Sequence, residues 1–158
     1  MHADPADLLA QIRRVGPPNV HWIDDRGGDA TDKLVAVAGT TPIVVRLFHI
    51  HRPISKDELL NGIMRLLEVP YYGPDPDWDR MAGNWDAFAD AIGDLEWLGG
   101  TPEHGVVLVV TLIGPSDLAT DELVSTLVDI WESRAEEVWN PKIRAPYHLV
   151  LAERGSRD

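Results

Sequence analysis

Apolar residues along the chain form short continuous runs that predict β-strands. Three runs rich in β-branched and aromatic residues predict buried strands: Pro42 to His51, Val106 to Ile113 and Tyr147 to Ala152. A run in which nearly every residue is apolar predicts a strand covered on both faces, as in a parallel or mixed sheet. A shorter run, Val20 to Asp24, predicts a further strand near His21, and Thr31 to Ala38 predicts a short helix that Gly39 ends.

Helices are predicted between these runs, from apolar residues at spacings of three and four. The first follows a capping box, Ser55 to Glu58, in which hydroxyl and carboxylate each satisfy a free backbone N–H, and it ends by Pro70. Asn84 can cap a second helix that runs to about Leu98. A third covers Thr120 to about Asn140, with Pro141 after its end. The order β-α-α-β-α-β favours a small α/β protein.

Length and composition favour one domain over residues 1–158. A chain of this size can bury one core, and hydrophobic residues at 44% are enough to fill it. We expect a largely parallel three-stranded sheet packed with helices in two or three layers, and a possible extra N-terminal strand. The chain has no cysteine, which excludes disulfides, thiolate metal sites and thiol nucleophiles.

The charge of the chain is strongly negative and unevenly placed. There are 26 acidic and 14 basic residues, a net charge of −12. Residues 70–103 hold eight acids and one base, so 34 residues carry −7 of that total. A nucleic-acid partner is nearly excluded because phosphate binding needs a basic patch, and a positively charged partner fits better. The first residues lack the features of a signal peptide and no run is long enough to span a membrane, so we expect a cytoplasmic protein.

A row of aspartates lies on the predicted second helix. Asp86, Asp90 and Asp94 follow one another at spacings of four, so they share one face opposite the apolar stripe, with no base among them. Each like-charge pair costs roughly 0.2 to 0.5 kcal/mol, and aspartate is a poor helix former. Two interpretations are open: a solvated polar face on a very acidic protein, or a surface that meets a positively charged partner.

Two stretches resemble the barstar family, the intracellular inhibitors of barnase-type secreted ribonucleases. They are Pro70-Tyr-Tyr-Gly73 and Asn84-Trp-Asp-Ala-Phe-Ala-Asp-Ala-Ile-Gly-Asp-Leu95, and the close Asp94-Leu-Glu-Trp97 resembles that of actinobacterial members. The likeness runs from roughly Val44 to Leu151. It implies a barstar-like fold with a core at about 42–152 and an N-terminal extension over 1–41.

The resemblance also implies a mechanism and a set of site residues. In the family, an acidic helix and the loop before it occlude the active site of the ribonuclease, with carboxylates in place of substrate phosphates. The residues that fall on family binding positions, or extend the acidic row, are Tyr71, Asn84, Asp86, Asp90, Asp94 and Glu132. The implied partner is a basic secreted ribonuclease or toxin domain, bound by a chain that is monomeric when free and has no cofactor.

The chain departs from the family pattern in two places. Ten residues, Pro74 to Gly83, separate Gly73 from Asn84 where the family has one. Ala89 stands where the founding member of the family has tryptophan, and Trp78 in the inserted loop is one candidate to replace it. The cognate toxin therefore stays open, and so does a second hypothesis, a regulatory or scaffolding module that binds another basic protein.

Metal binding and catalysis are weaker interpretations of the same residues. Asp75, Asp77, Asp79 and Asp86 occupy positions of an EF-hand-like frame, but Arg80 stands where the tight turn needs glycine. His49 and His51 alternate on a predicted strand, and we interpret them as ordinary strand histidines rather than metal ligands. No nucleophile elbow, P-loop or zinc-helix motif accompanies the carboxylates, so we expect a binding protein and not an enzyme.

Overall fold

Helices and strands alternate along the residues that the computed structural model describes, which are 5–38, 40–67, 85–93 and 104–155. The strands are β1 (Val20–Asp24), β2 (Val44–His51), β3 (Val106–Ile113) and β4 (Tyr147–Gly155). The helices are α1 (Pro5–Gln11), α2 (Asp29–Ala38), α3 (Lys56–Leu66), α4 (Trp85–Gly93) and α5 (Leu118–Arg134), and α5 continues into a π-helix (Ala135–Ile143).

The four strands form one parallel sheet in the order β1-β4-β3-β2. The register pairs Val106 with Val44 on one side and with Tyr147 on the other. Parallel strands need crossover connections, and the helices between the strands supply them. The sequence prediction of a largely parallel sheet is confirmed, and the possible N-terminal strand is β1, which extends the sheet beside β4.

Alternate residues of the central strands belong to two separate cores, so the sheet lies between two helical layers. Leu108 and Val110 of β3 pack with α3, α4, α5 and the π-helix. Their neighbours Val107 and Val109 pack with α1 and α2 on the other face. All four side chains are fully buried, as expected for the centre of a parallel sheet. Of the two arrangements expected from sequence, the described residues have three layers.

The first helical layer was only partly predicted. The sequence interpretation has no helix before residue 20, yet α1 covers Pro5–Gln11 and buries Leu8 against the sheet, and Ile12 directly after the helix is buried beside it. Two apolar residues on a short helix give too brief a stripe to be recognised. Helix α2 begins at Asp29, two residues before the predicted start, because the buried Asp25 carboxylate accepts from the Ala30 N–H at 3.0 Å.

The prediction that Pro141 follows the end of the third predicted helix is wrong. Helix α5 starts at Leu118, where the Asp117 side chain caps it by accepting from the Thr120 N–H at 2.8 Å. After Arg134 the helix widens into a π-helix that contains Pro141. Proline lacks the N–H for an ordinary helical bond and its ring clashes with the preceding turn, and a wider turn accommodates both effects.

The predicted capping box at the start of α3 is confirmed in one half. The Ser55 hydroxyl accepts from the Glu58 N–H at 3.1 Å, as expected. The Glu58 carboxylate, however, accepts from the same hydroxyl at 3.0 Å. The serine therefore links the helix N-terminus to the glutamate directly.

Candidate partner-binding site

Helix α4 places two of the predicted site residues on the outer surface. Phe88 and Ile92 are fully buried in the larger core, and Trp85 packs edge-to-face on Phe88 with ring centroids 5.8 Å apart. Because these apolar residues hold one face of the helix inward, Asp86 and Asp90 are exposed on the rest of it. The apolar stripe predicted from sequence is thus confirmed over the described part of this helix.

Both charged residues of α4, Asp86 and Asp90, are acidic. The helix contains no basic residue, and Asp86 lies in its first turn, where the helix dipole favours a negative charge. Asp90 takes part in none of the ion pairs formed among residues 5–38, 40–67, 85–93 and 104–155. Arg134, which lines the cleft between α4 and α5, pairs with Glu137 at 2.6 Å. The Asp90 carboxylate therefore projects its charge towards solvent.

A small cleft opens between α4 and α5 at Ala89. It has a volume of about 170 Å³, and from α5 it is lined by polar and apolar residues that include Thr126, Ile130 and Ser133. The resemblance noted in the sequence implies an aromatic contact at this position. Alanine leaves open space there, so the surface beside Asp86 and Asp90 is concave where a tryptophan would make it convex.

Glu132 lies away from the two aspartates of α4. It is exposed on α5 and lines a larger cleft, of about 550 Å³, together with Pro17, Pro18 and Asn19 of the segment before β1. The α5 residues that line the Ala89 cleft are different ones. The structure thus brings Asp86 and Asp90 together on one helix and places Glu132 on a separate surface.

Three of the predicted site residues, Tyr71, Asn84 and Asp94, lie outside the described residues. The same holds for Trp78 and for the part of the EF-hand-like frame before Trp85. His49 and His51 are exposed on β2. Within the described ranges, no group of three or more histidine, cysteine, aspartate or glutamate side chains could hold a metal ion. None of the helices described there has the length and apolar content to cross a membrane.

A buried histidine pair ties β1 to β4, and sequence reasoning missed it. His21 Nε2 lies 2.9 Å from His148 Nδ1, and His148 Nε2 lies 2.8 Å from the carbonyl oxygen of Arg14. The carbonyl only accepts, so His148 carries its proton on Nε2 and His21 Nε2 donates to His148 Nδ1. Burial, and then the proximity of His148, lowers the pKa of His21 to about 4. Burial lowers the pKa of His148 as well, opposed by the carbonyls of Arg14 and Pro18.

One feature of the sequence could have signalled this pair. Both histidines stand in strand-forming runs that alternate with apolar residues, at His21 in Val20 to Asp24 and at His148 beside Tyr147. Their pairing depends on the register of β1 on β4, in which His21 lies opposite Val150. Sequence alone does not give that register, because no turn links the two strands.

The described residues form an α/β protein with an exposed carboxylate surface on α4. A family model described as Barstar (barnase inhibitor) matches residues 43–151, and the chain belongs to the barstar family. The comparisons with curated proteins and with solved structures return no match. The matched range begins at residue 43, so α1, β1 and α2 lie outside it. Membership supports a barnase-inhibitor-like role in general terms, with a ribonuclease as the kind of partner.

Proposed function

We propose that this chain binds a basic ribonuclease, or a related toxin domain, and occludes its active site with α4 and the loop before it. The observation that carries this proposal is that Asp86 and Asp90 are exposed on α4. Phe88 and Ile92 bury the other face of the helix in the core. A rigid helix holds the carboxylates in place before binding, so little conformational entropy is lost on association.

The chemistry of the contact follows from the substrate of the partner. A ribonuclease active site holds arginine and lysine side chains that bind phosphate, and a carboxylate can accept the same charge-assisted hydrogen bonds. The net charge of −12 attracts a basic enzyme from a distance and accelerates encounter. In this proposal Asp86 and Asp90 pair with those cations, and Glu132 adds a peripheral ion pair.

Tyr71 and Asn84 are assigned by their positions in the family motif, and Asp94 because it extends the acidic row. Tyr71 is proposed to stack at the edge of the occluding surface, and Asn84 to fix the helix start and donate at its rim. Asp94 is proposed to act mainly on the rate of association. All three residues lie within the range that the barstar family model matches.

The proposal is tested by a ribonuclease assay with the purified chain and a panel of barnase-type enzymes, barnase included. Cleavage of a fluorogenic RNA should stop at one equivalent of the chain. A hydrogen bond to a charged group contributes about 1.5 to 3 kcal/mol, so Asp90→Ala should raise the dissociation rate roughly ten- to a hundredfold. Replacement of Asp94 by Asn should instead lower the association rate and its salt dependence.

A matched control removes the same charge elsewhere. Asp57 is exposed in the first turn of α3, as Asp86 is in the first turn of α4, and Asp57→Asn should leave inhibition unchanged. If Asp86→Ala and Asp90→Ala together leave binding intact, the site assignment is wrong. If the chain captures a basic protein without ribonuclease activity, the scaffolding hypothesis replaces inhibition.

A further inference from the structure

The face of β1 beside α5 is open to solvent. β1 is an edge strand of the sheet, and its Ile23 side chain points into the core that α1 and α2 cover. Trp22 points to the opposite face and keeps 39% of its surface exposed. A tryptophan exposed to this extent at the edge of a sheet is typical of a contact surface.

Two clefts follow the boundary between α5 and the β1 segment. The smaller, of about 180 Å³, lies at Trp22 and is lined from α5 by Asp121, Ser125 and Val128. The larger, of about 550 Å³, lies between Pro17 to Asn19 and the residues Glu132 and Glu136. Trp22 faces the first half of α5 and the residues before β1 face its end, so the two clefts follow one another along the same boundary, and we call them together the α5–β1 groove.

The helical wall of this groove is regular and acidic. Asp121, Ser125, Val128 and Glu132 follow at spacings of four, three and four, so they share one face of α5, and Glu136 follows in the first turn of the π-helix. Among the described residues that line the two clefts, none is lysine or arginine. No ion pair of the described ranges includes Asp121, Glu132 or Glu136, whereas Glu153 at the Trp22 end is paired with Arg52 at 2.5 Å.

We propose that this α5–β1 groove binds an extended, arginine-bearing segment of the protein partner. The length of the groove suits such a segment. Asp121 and Glu136 lie about 20 Å apart along α5 and the start of the π-helix, and six or seven residues of an extended chain cover that distance. An arginine can place its stem on Val128 and its guanidinium on the Trp22 ring beside Asp121, which combines cation–π and ionic attraction. The proposal rests on the proposed function in taking the partner to be a basic protein, but it adds a contact that α4 does not provide.

The groove is a property of this chain's N-terminal extension. The wall opposite α5 includes Pro17 to Asn19 and Trp22, which precede the matched range beginning at residue 43, together with Leu112 of β3 and Glu153 of β4. Asn19 holds that wall in place, since its side-chain amide donates to the Tyr147 carbonyl at 2.8 Å. The extension therefore supplies part of a surface that the family core alone lacks.

The test uses the full chain and an acetylated octapeptide of alternating glycine and arginine as the probe. An extended chain points alternate residues to one side, so all of its arginines can face the groove. In a two-dimensional ¹H–¹⁵N titration, the indole signal of Trp22, identified with Trp22→Phe, should shift saturably together with amides of β1 and of the first turns of α5. Asp121→Asn should weaken this binding about two- to fivefold.

A neighbouring residue gives the control. Glu122 follows Asp121 on α5, is also exposed and lines neither cleft, so Glu122→Gln should leave the peptide affinity unchanged. Ser125→Lys places a positive charge in the groove wall and should abolish the Trp22 shift. Equal weakening by Glu122→Gln and Asp121→Asn would show unspecific attraction and overturn the proposal, as would shifts confined to α4.

The test also separates this groove from the proposed function. In an Asp86→Asn, Asp90→Asn double variant, shifts in α4 should disappear while the Trp22 shift persists. Loss of the Trp22 shift in that variant would place the binding on α4 and overturn the groove. Failure of the chain to inhibit any ribonuclease would leave the groove measurement unaffected, because the peptide assay contains no enzyme.

Discussion

Acidification from pH 7 to pH 5 should destabilise this protein through the His21–His148 pair. The pKa of His21 is about 4 in the folded chain against an ordinary value of 6.5, and the cause is burial beside a second histidine. Between these values the unfolded chain binds the proton and the folded chain does not. The contribution of the pair is therefore complete above pH 6.5 and is lost as the pH falls towards 4.

The size of this effect follows from the change in pKa. Each tenfold change in proton affinity corresponds to about 1.4 kcal/mol, so the full loss is about 3 kcal/mol, of which about 2 kcal/mol is lost by pH 5. Protonation of His21 would occur at Nδ1 and leave its Nε2–H donating to His148 Nδ1, so the loss comes from placing a positive charge in a buried site beside a second histidine. The first structure to loosen should be the attachment of residues 14–21 to β4.

Urea unfolding at pH 7, 6 and 5, followed by far-UV circular dichroism, measures the effect. His21→Gln keeps a side-chain N–H for His148 Nδ1 and removes the titration, so its stability should fall less between pH 7 and 5 than that of the unmodified chain. His49→Gln is the matched control, since His49 is exposed on β2 and its replacement should leave the pH profile unchanged. Parallel curves for the unmodified chain and His21→Gln would refute the reasoning.

Three further substitutions test the packing that positions the site, each by urea unfolding. Ser55→Ala removes the cap of α3 and should cost about 1 kcal/mol, while Ser55→Asp, which keeps an acceptor, should cost less; equal losses would contradict the cap. Gly105→Ala should prevent stable folding, because Gly105 has φ +95° and an added Cβ would collide with the Pro146 carbonyl oxygen; a stable variant would show that this approach is not tight. Phe88→Ala should cost about 3 to 5 kcal/mol and weaken partner binding through displacement of α4, whereas Phe88→Leu should retain most of the binding. Binding that survives Phe88→Ala unchanged would contradict the role of this core in holding α4.

The sheet could be predicted from sequence because each strand is marked by its own composition. Val106 to Ile113 is apolar at nearly every position, and the structure buries it between two helical layers, as such a run requires. The start of α3 could also be predicted from local sequence. The Ser55 hydroxyl that caps it and the Glu58 N–H that donates to this hydroxyl are only three positions apart. Interactions of this kind can be predicted from sequence because the residues that form them are close along the chain.

The features that were missed depend on contacts between distant residues. Helix α1 is too short to show a stripe, and it is stabilised by packing of Leu8 in a core that includes residues of β3 and β4, strands far along the chain. The π-helix continues through Pro141, a residue that sequence rules place after a helix end. Tertiary packing of Trp139 on Tyr147, with ring centroids 4.8 Å apart, holds the widened turn in place.

Of the candidate site, only the arrangement of side chains on α4 could be predicted from sequence. The spacing of Asp86 and Asp90 against Phe88 and Ile92 gives the outward face of α4 directly, and the structure agrees. The position of Glu132 beside the N-terminal segment was not predictable, because it depends on where residues 17–19 cross the π-helix. That crossing is fixed by the Asn19–Asn140 side-chain pair, whose members are 121 residues apart.

Competition for the ribonuclease active site tests the central claim most directly. The claim is that Asp86 and Asp90 take the place of substrate phosphates, so the chain and a non-cleavable oligonucleotide should exclude one another on an inhibited enzyme. Titration of a labelled oligonucleotide out of the ribonuclease should proceed to completion with one equivalent of the unmodified chain, and Asp86→Asn, Asp90→Asn should displace it far less well. A stable ternary complex of enzyme, oligonucleotide and chain would contradict the claim.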